Sequence, residues 1–141
     1  MLNRNNAIVA IVILLLLTQG GVITLPDNPF LPTTGKPIDL PGFNILVLTE
    51  RSESGPVDEA VTTAAEWRDY VDKHCDEYHA WDDSHTDFKY VSAEWKAAYD
   101  KAIADSAGVR PWVLISGKGG TSAALPKSPT ESVSLAKRYQ P

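Results

Sequence analysis

The sequence predicts an α/β fold, a mixed four-stranded sheet with helices on both faces. Three observations predict it. After Gly42, short apolar runs alternate with stretches of helical periodicity in the order strand, helix, strand, helix, strand, strand, helix. The last two strands follow each other closely, as a hairpin does. With 43% apolar and 22% charged residues in 141, the composition is that of an ordinary globular protein with room for one such core.

Residues 1–25 stand outside that core. Ala7 to Leu17 is uninterruptedly apolar, and Arg4 is the one charged side chain ahead of it, which is the layout of a secretory signal. Extended to Leu25, the run approaches membrane-spanning length, although Gln19, Gly20 and Gly21 weaken its far end. A cleaved signal peptide and an uncleaved hydrophobic helix acting as a membrane anchor both fit. Thr18 and Gly20 offer small residues for a cut, but there is no Ala-x-Ala. No Lys or Arg follows Arg4 until Lys36, so the charge asymmetry leaves the N-terminus inside and the rest outside. The domain is therefore expected to be membrane-anchored or secreted, on the non-cytoplasmic side. Residues 26–42 contain Pro26, Pro29, Pro32, Pro37 and Pro41. Proline fixes φ and removes donors, so a semi-rigid linker is expected there.

The domain is expected over residues 43–141. Ile45 to Thr49 is apolar and partly β-branched, as suits a buried strand. A loop leads to a helix from Asp58 to about His74, where Ala60, Ala64, Trp67, Val71 and Cys75 share one apolar face. Tyr78 to Trp81 forms the second strand and ends at Asp82 and Asp83. Ser92 caps the next helix, in which Trp95, Ala98, Tyr99, Ala102 and Ile103 follow the i, i+3, i+4, i+7, i+8 template, and Gly108 stops it. Trp112 to Ile115 is the third strand, and the turn Gly117-Lys118-Gly119-Gly120 leads to a weaker fourth near Thr121 to Leu125. Ser128-Pro129-Thr130-Glu131 is a capping box with proline at the first helical position, and opens the last helix.

In two places this chain resembles the thioredoxin-like superfamily. After Ile45-Leu46-Val47, Ser54-Gly55-Pro56-Val57 stands where that family carries Cys-Gly-Pro-Cys, keeping Gly-Pro and replacing both cysteines. Arg110-Pro111-Trp112-Val113 resembles the family's cis-proline turn before its third strand. The resemblance spans about residues 43–139 and implies a three-layer thioredoxin-like domain. It also implies that Ser54 to Val57 and Arg110, Pro111 and Trp112 border a groove where the family holds a substrate segment. In that groove Arg110 would offer a donor fork and Trp112 an aromatic face.

The missing sulfurs decide the chemistry. Thiol–disulfide exchange needs a thiolate and a leaving sulfur, which Ser54 and Val57 lack. A serine nucleophile needs a base beside it, and no histidine lies near Ser54 in sequence, so Ser54 and Gly55 are read as shaping the helix start. Cys75, the single thiol, falls on the apolar stripe of its helix and is expected to be inert. One cysteine forms neither an internal disulfide nor a four-thiolate zinc site.

His74, His79 and His85 cluster with five acids between His74 and Asp87. These are metal-ligating atom types, but the spacing matches no established site, and a strand through Tyr78 to Trp81 would split the set between two faces. A net charge of −5 argues against nucleic acid as a partner. The expectation is a redox-inactive, non-catalytic module, with no cofactor, that binds a protein or peptide partner. Its alternatives are a metal-binding protein built on His74 to Asp87, a structural envelope or virion component, and a cysteine-independent enzyme on the same fold.

Overall fold

The computed structural model describes residues 36–50 and 59–141. The hydrophobic segment 1–25, most of the proline-rich linker and the Ser54 to Val57 loop lie outside the described residues. Strand β1 (Asn44–Thr49) is followed by helices α1 (Glu59–Thr63) and α2 (Ala65–His74), strand β2 (Glu77–Asp82) and helix α3 (Ala93–Ser106). Strands β3 (Trp112–Gly117) and β4 (Gly119–Ala124) and helix α4 (Pro129–Lys137) complete the order.

The strands form one four-stranded sheet in the order β2-β1-β3-β4. β1 runs parallel to β2 and antiparallel to β3, and β3 pairs antiparallel with β4. The sheet is therefore mixed, as expected. β1 and β3 occupy its centre and are buried on both faces, which is why they read as continuous apolar runs rather than alternating ones. Ile45, Val47, Val113 and Ile115 point to the face covered by Val61, Trp67, Tyr70, Val71, Val133 and Ala136. Leu46, Leu48, Trp112 and Leu114 point to the other, under Trp95, Ala98, Tyr99 and Ala102 of α3. Each buried Val, Leu or Ile among them contributes about 1.5–3 kcal/mol by leaving water.

Three boundaries differ from the sequence expectation. The single helix expected from Asp58 to His74 is broken at Ala64, whose ψ of 136° is extended. Thr62 and Thr63 direct their hydroxyls back to the Glu59 carbonyl at 3.3 and 2.7 Å, and the Ala64 N–H closes on Val61 O. Hydroxyls that compete for helical carbonyls weaken the helix where they stand. The break turns Val61 inward in place of Ala60, which is exposed. The end of the linker also belongs to the domain. Ile38 is 0% exposed among the side chains under α3, and its N–H donates to Ser116 Oγ at 2.8 Å, so the packed unit begins before residue 43. The β3–β4 turn is tighter than expected, with Gly117 already paired to Gly119 around Lys118.

The helix starts follow the sequence. Ser92 Oγ accepts from Trp95 N at 3.4 Å and Ser128 Oγ from Glu131 N at 3.2 Å, with Pro129 at the first turn. Gly42, at φ +88°, occupies the left-handed region that glycine enters without penalty. Asp76 Oδ2 packs over it and accepts from Phe43 N at 2.7 Å. No helix among the described residues is long and apolar enough to cross a membrane.

Candidate functional site

The C-terminal ends of the parallel strands β1 and β2 meet the N-terminal end of β3 at one end of the sheet. In α/β sheets ligands bind outside the carboxyl ends of parallel strands, so this end is the candidate site. Asp83 N donates to Thr49 O at 2.9 Å, tying the segment after β2 to the end of β1. Asp82 Oδ1 accepts from Ser84 N at 2.8 Å and from the Ser84 hydroxyl, while His85 N donates to Asp82 O at 3.1 Å. An aspartate closing a turn on the residue two positions ahead is a stable local device. The Tyr99 hydroxyl of α3 donates to Asp82 O at 3.2 Å. Burial pushes the Tyr99 phenol up, and the carboxylates of Asp82 and Asp83 push it the same way.

Arg110 and Pro111 form the other wall, and the peptide bond between them is cis. The Arg110 side chain is only 8% exposed. Its Nη1 donates to Ser106 Oγ at 2.5 Å and to Val109 O at 2.8 Å, and Nε stands 3.4 Å from Asp83 Oδ2 without hydrogen-bond geometry. The guanidinium therefore joins α3, the turn before β3 and the segment after β2, rather than offering a free fork to a ligand.

Trp112 differs from the expected groove-lining aromatic. It is 5% exposed and packs with Leu46, Leu48 and Leu114 under α3. Its Nε1 donates to Ser122 Oγ at 2.9 Å, and that hydroxyl donates to Asp105 Oδ2 at 2.6 Å. The alternation of a strand explains this: Trp112 and Leu114 share a face. Of the expected groove residues, Arg110 and Pro111 stand at this end of the sheet, and Ser54, Gly55, Pro56 and Val57 lie outside the described residues.

The three histidines are not brought into one ligand set. His74, at the end of α2, packs its ring on Tyr70 at 4.9 Å and has Nδ1 3.1 Å from Gln140 Nε2. His79 and His85 lie on the other face, both stacked on the Trp81 indole at 4.5 and 5.0 Å. Among the described residues no group of His, Cys, Asp and Glu is placed to hold a metal ion. Sequence reasoning missed the aromatic cluster of Trp81, Phe88, Trp95 and Tyr99 around these rings. The period of two in β2, with His79 and Trp81 two apart, was the signal that could have found it.

Beside His79, a groove of about 340 Å³ is lined by Leu40, Glu77, Tyr90, Val91 and Trp95. Glu77 Oε2 accepts from Trp95 Nε1 at 2.5 Å, and Tyr90 stands 87% exposed.

Cys75 precedes β2 and packs against the α2 side of the core. Burial pushes its thiol up to about 12, and the charges of Asp76 and Asp72 add to the effect. Its neighbour Asp76 bonds Phe43 O, just before β1, whereas Pro111 stands at the far end of that strand. At about 3.3 Å per residue, the length of β1 holds Cys75 and Pro111 on the order of 17 Å apart. No family model, curated protein or solved structure matches the chain.

Proposed function

We propose that the chain is a redox-inactive thioredoxin-like module, exported or membrane-tethered through residues 1–25, that binds a protein or peptide partner. One observation carries the proposal: the only thiol lies at the opposite end of the sheet from Pro111 and is held in the protonated form. A scaffold with that strand order, without sulfur in its Ser54 to Val57 loop, can hold a segment but not exchange disulfides. The fold supports the family resemblance through the order β2-β1-β3-β4 and the turn at Pro111 before β3. The partner-contacting rim on this reading is Ser84 and His85 after β2, on a turn held from behind by Arg110 and Pro111.

Two measurements test it. Insulin reduction and refolding of scrambled ribonuclease proceed at the uncatalysed rate with the full chain, and turnover above background overturns the proposal. A photo-crosslinking residue at Ser84 captures a discrete partner from the native membrane fraction, while the same residue at Lys137, at the other end of the sheet, does not. Equal capture at both positions also overturns it.

A further inference from the structure

β2 is an outermost strand of the sheet and pairs with β1 alone. None of its residues is buried, and Glu77 and Ala80 are exposed. From Glu77 to Trp81 no backbone bond among the described residues reaches beyond β1. Such an edge is a row of N–H and C=O groups ready to pair with another strand. The charges along it have one sign. From His74 to Phe88 there are five acids, Asp76, Glu77, Asp82, Asp83 and Asp87, and neither Lys nor Arg. Glu77, His79 and Trp81 share the face of the sheet that α3 covers. There Glu77 and His79 line the groove of about 340 Å³ whose other walls include Leu40, Tyr90 and Trp95. The Trp95 indole N–H fixes the Glu77 carboxylate at 2.5 Å, yet the Glu77 side chain stays 54% exposed. Its one ion-pair partner among the described residues is His79 at 3.7 Å, a ring that burial holds toward its neutral form. Lys89 Nζ stands 5.2 Å from the Tyr90 ring centroid and forms no ion pair with Glu77.

We infer that the outer edge of β2 receives an extended, basic segment of a partner protein as an added strand, one of whose Lys or Arg side chains enters this groove and meets Glu77. In such strand addition the main-chain hydrogen bonds supply affinity, and pockets for alternate side chains supply specificity. A strand about 4.8 Å beyond β2 sets every second side chain beside Glu77, His79 and Trp81. In the groove a cation meets the Glu77 carboxylate among aromatic rings, to which cations are drawn, and its apolar stem lies along Leu40 and Val91. Charge selects this occupant. A second copy paired antiparallel about the middle of β2 sets Glu77 against Asp82, like against like. The chain's own residues 26–35 contain Asp27 and no Lys or Arg, so they leave Glu77 unanswered. This strand site rests on the proposal that the chain binds a peptide partner, and gives that partner a chemistry. The strand leads to the proposed rim through Asp82, which holds Ser84.

Fluorescence anisotropy tests the inference, with a short labelled peptide that alternates Lys with Thr and Val titrated with the full chain in non-ionic detergent. Saturable binding is expected. Glu77→Gln keeps an acceptor for the Trp95 indole and removes only the charge, so it should weaken binding about three- to tenfold. Glu77 is exposed, and circular dichroism confirms that the variant folds. Replacing each Lys of the peptide by Glu, or N-methylating its backbone throughout, should abolish binding. Absence of saturable binding overturns the inference. Undiminished binding of the N-methylated peptide overturns it too, because charge alone then suffices. So does equal affinity for Glu77→Gln and the wild type, which sets the peptide elsewhere. Capture at Ser84 without peptide binding sinks the strand site alone. Peptide binding without capture at Ser84 supports the strand site and sinks the rim, so the two fail separately.

Discussion

The imidazole of His79 stacks on the indole of Trp81 with centroids 4.5 Å and planes 26° apart. Trp95 meets the same imidazole edge-on at 4.5 Å, and Glu77 Oε2 stands 3.7 Å from its Nε2. Burial lowers the His79 pKa, the Glu77 carboxylate works against that shift, and the charge of His85 adds to it. Desolvation is the largest of these effects, so the neutral ring is the form the fold prefers.

That preference sets a pH dependence. A histidine whose folded pKa lies below its unfolded value of about 6.5 lends its full stability above that pH. The contribution is lost as pH falls from there through the depressed folded value. Urea midpoints should fall on acidification from about pH 7 to about pH 5, and His79→Gln should flatten that fall. Equal slopes in the two proteins would show that other groups carry the dependence.

The Cys75 thiol, pushed up to about 12, should resist alkylation. At pH 8 a thiol of that acidity is thiolate about once in ten thousand molecules, roughly a thousandfold below a free cysteine. Iodoacetamide labelling followed by mass spectrometry should be slow in the native chain and complete in urea. Rapid native labelling would mean that the thiol is open to solvent and ionised.

Most of the fold was legible in sequence because its signals are local. The periodicity of Trp95, Ala98, Tyr99 and Ala102 and the caps at Ser92 and Ser128 each fix an element without knowledge of its neighbours. The break at Ala64 was not legible, because Trp67 and Val71 fit one continuous helix and the competing Thr62 and Thr63 hydroxyls show only in three dimensions. At the site, the position of Pro111 could be read, but not what Arg110 does. Its contacts with Ser106 and Asp83 span α3 and the segment after β2, and no sequence window contains all three. The inward turn of Trp112 follows from period two once its strand is fixed.

Trp67 is fully buried and donates Nε1–H to the Tyr78 hydroxyl at 3.1 Å, linking α2 to β2. Tyr78→Phe keeps the ring but strands a buried indole N–H, which costs about 1–3 kcal/mol. Trp67→Ala removes the indole altogether and costs about 3–5 kcal/mol. Urea denaturation should rank the two in that order. An unchanged midpoint for Tyr78→Phe would show that the indole N–H finds another partner.

Arg110 tests how the candidate site is held together. Its guanidinium serves the Ser106 hydroxyl, the Val109 carbonyl and the Asp83 carboxylate from one planar group. A lysine ammonium is a compact point charge without that fork, so Arg110→Lys should satisfy at most part of the set and lose about 1–3 kcal/mol. Asp83 keeps 30% of its side chain in solvent, so water offsets part of its loss, and Asp83→Asn should cost less than Arg110→Ala. Groups in contact couple by about 0.5–3 kcal/mol, and the cycle of Arg110→Ala, Asp83→Asn and the double variant isolates their share. Coupling in that range would show the two walls of the site bound to each other through charge. A value near zero would mean that Arg110 braces the turn only through Ser106 and Val109, leaving the segment after β2 to be held by Thr49 and Tyr99.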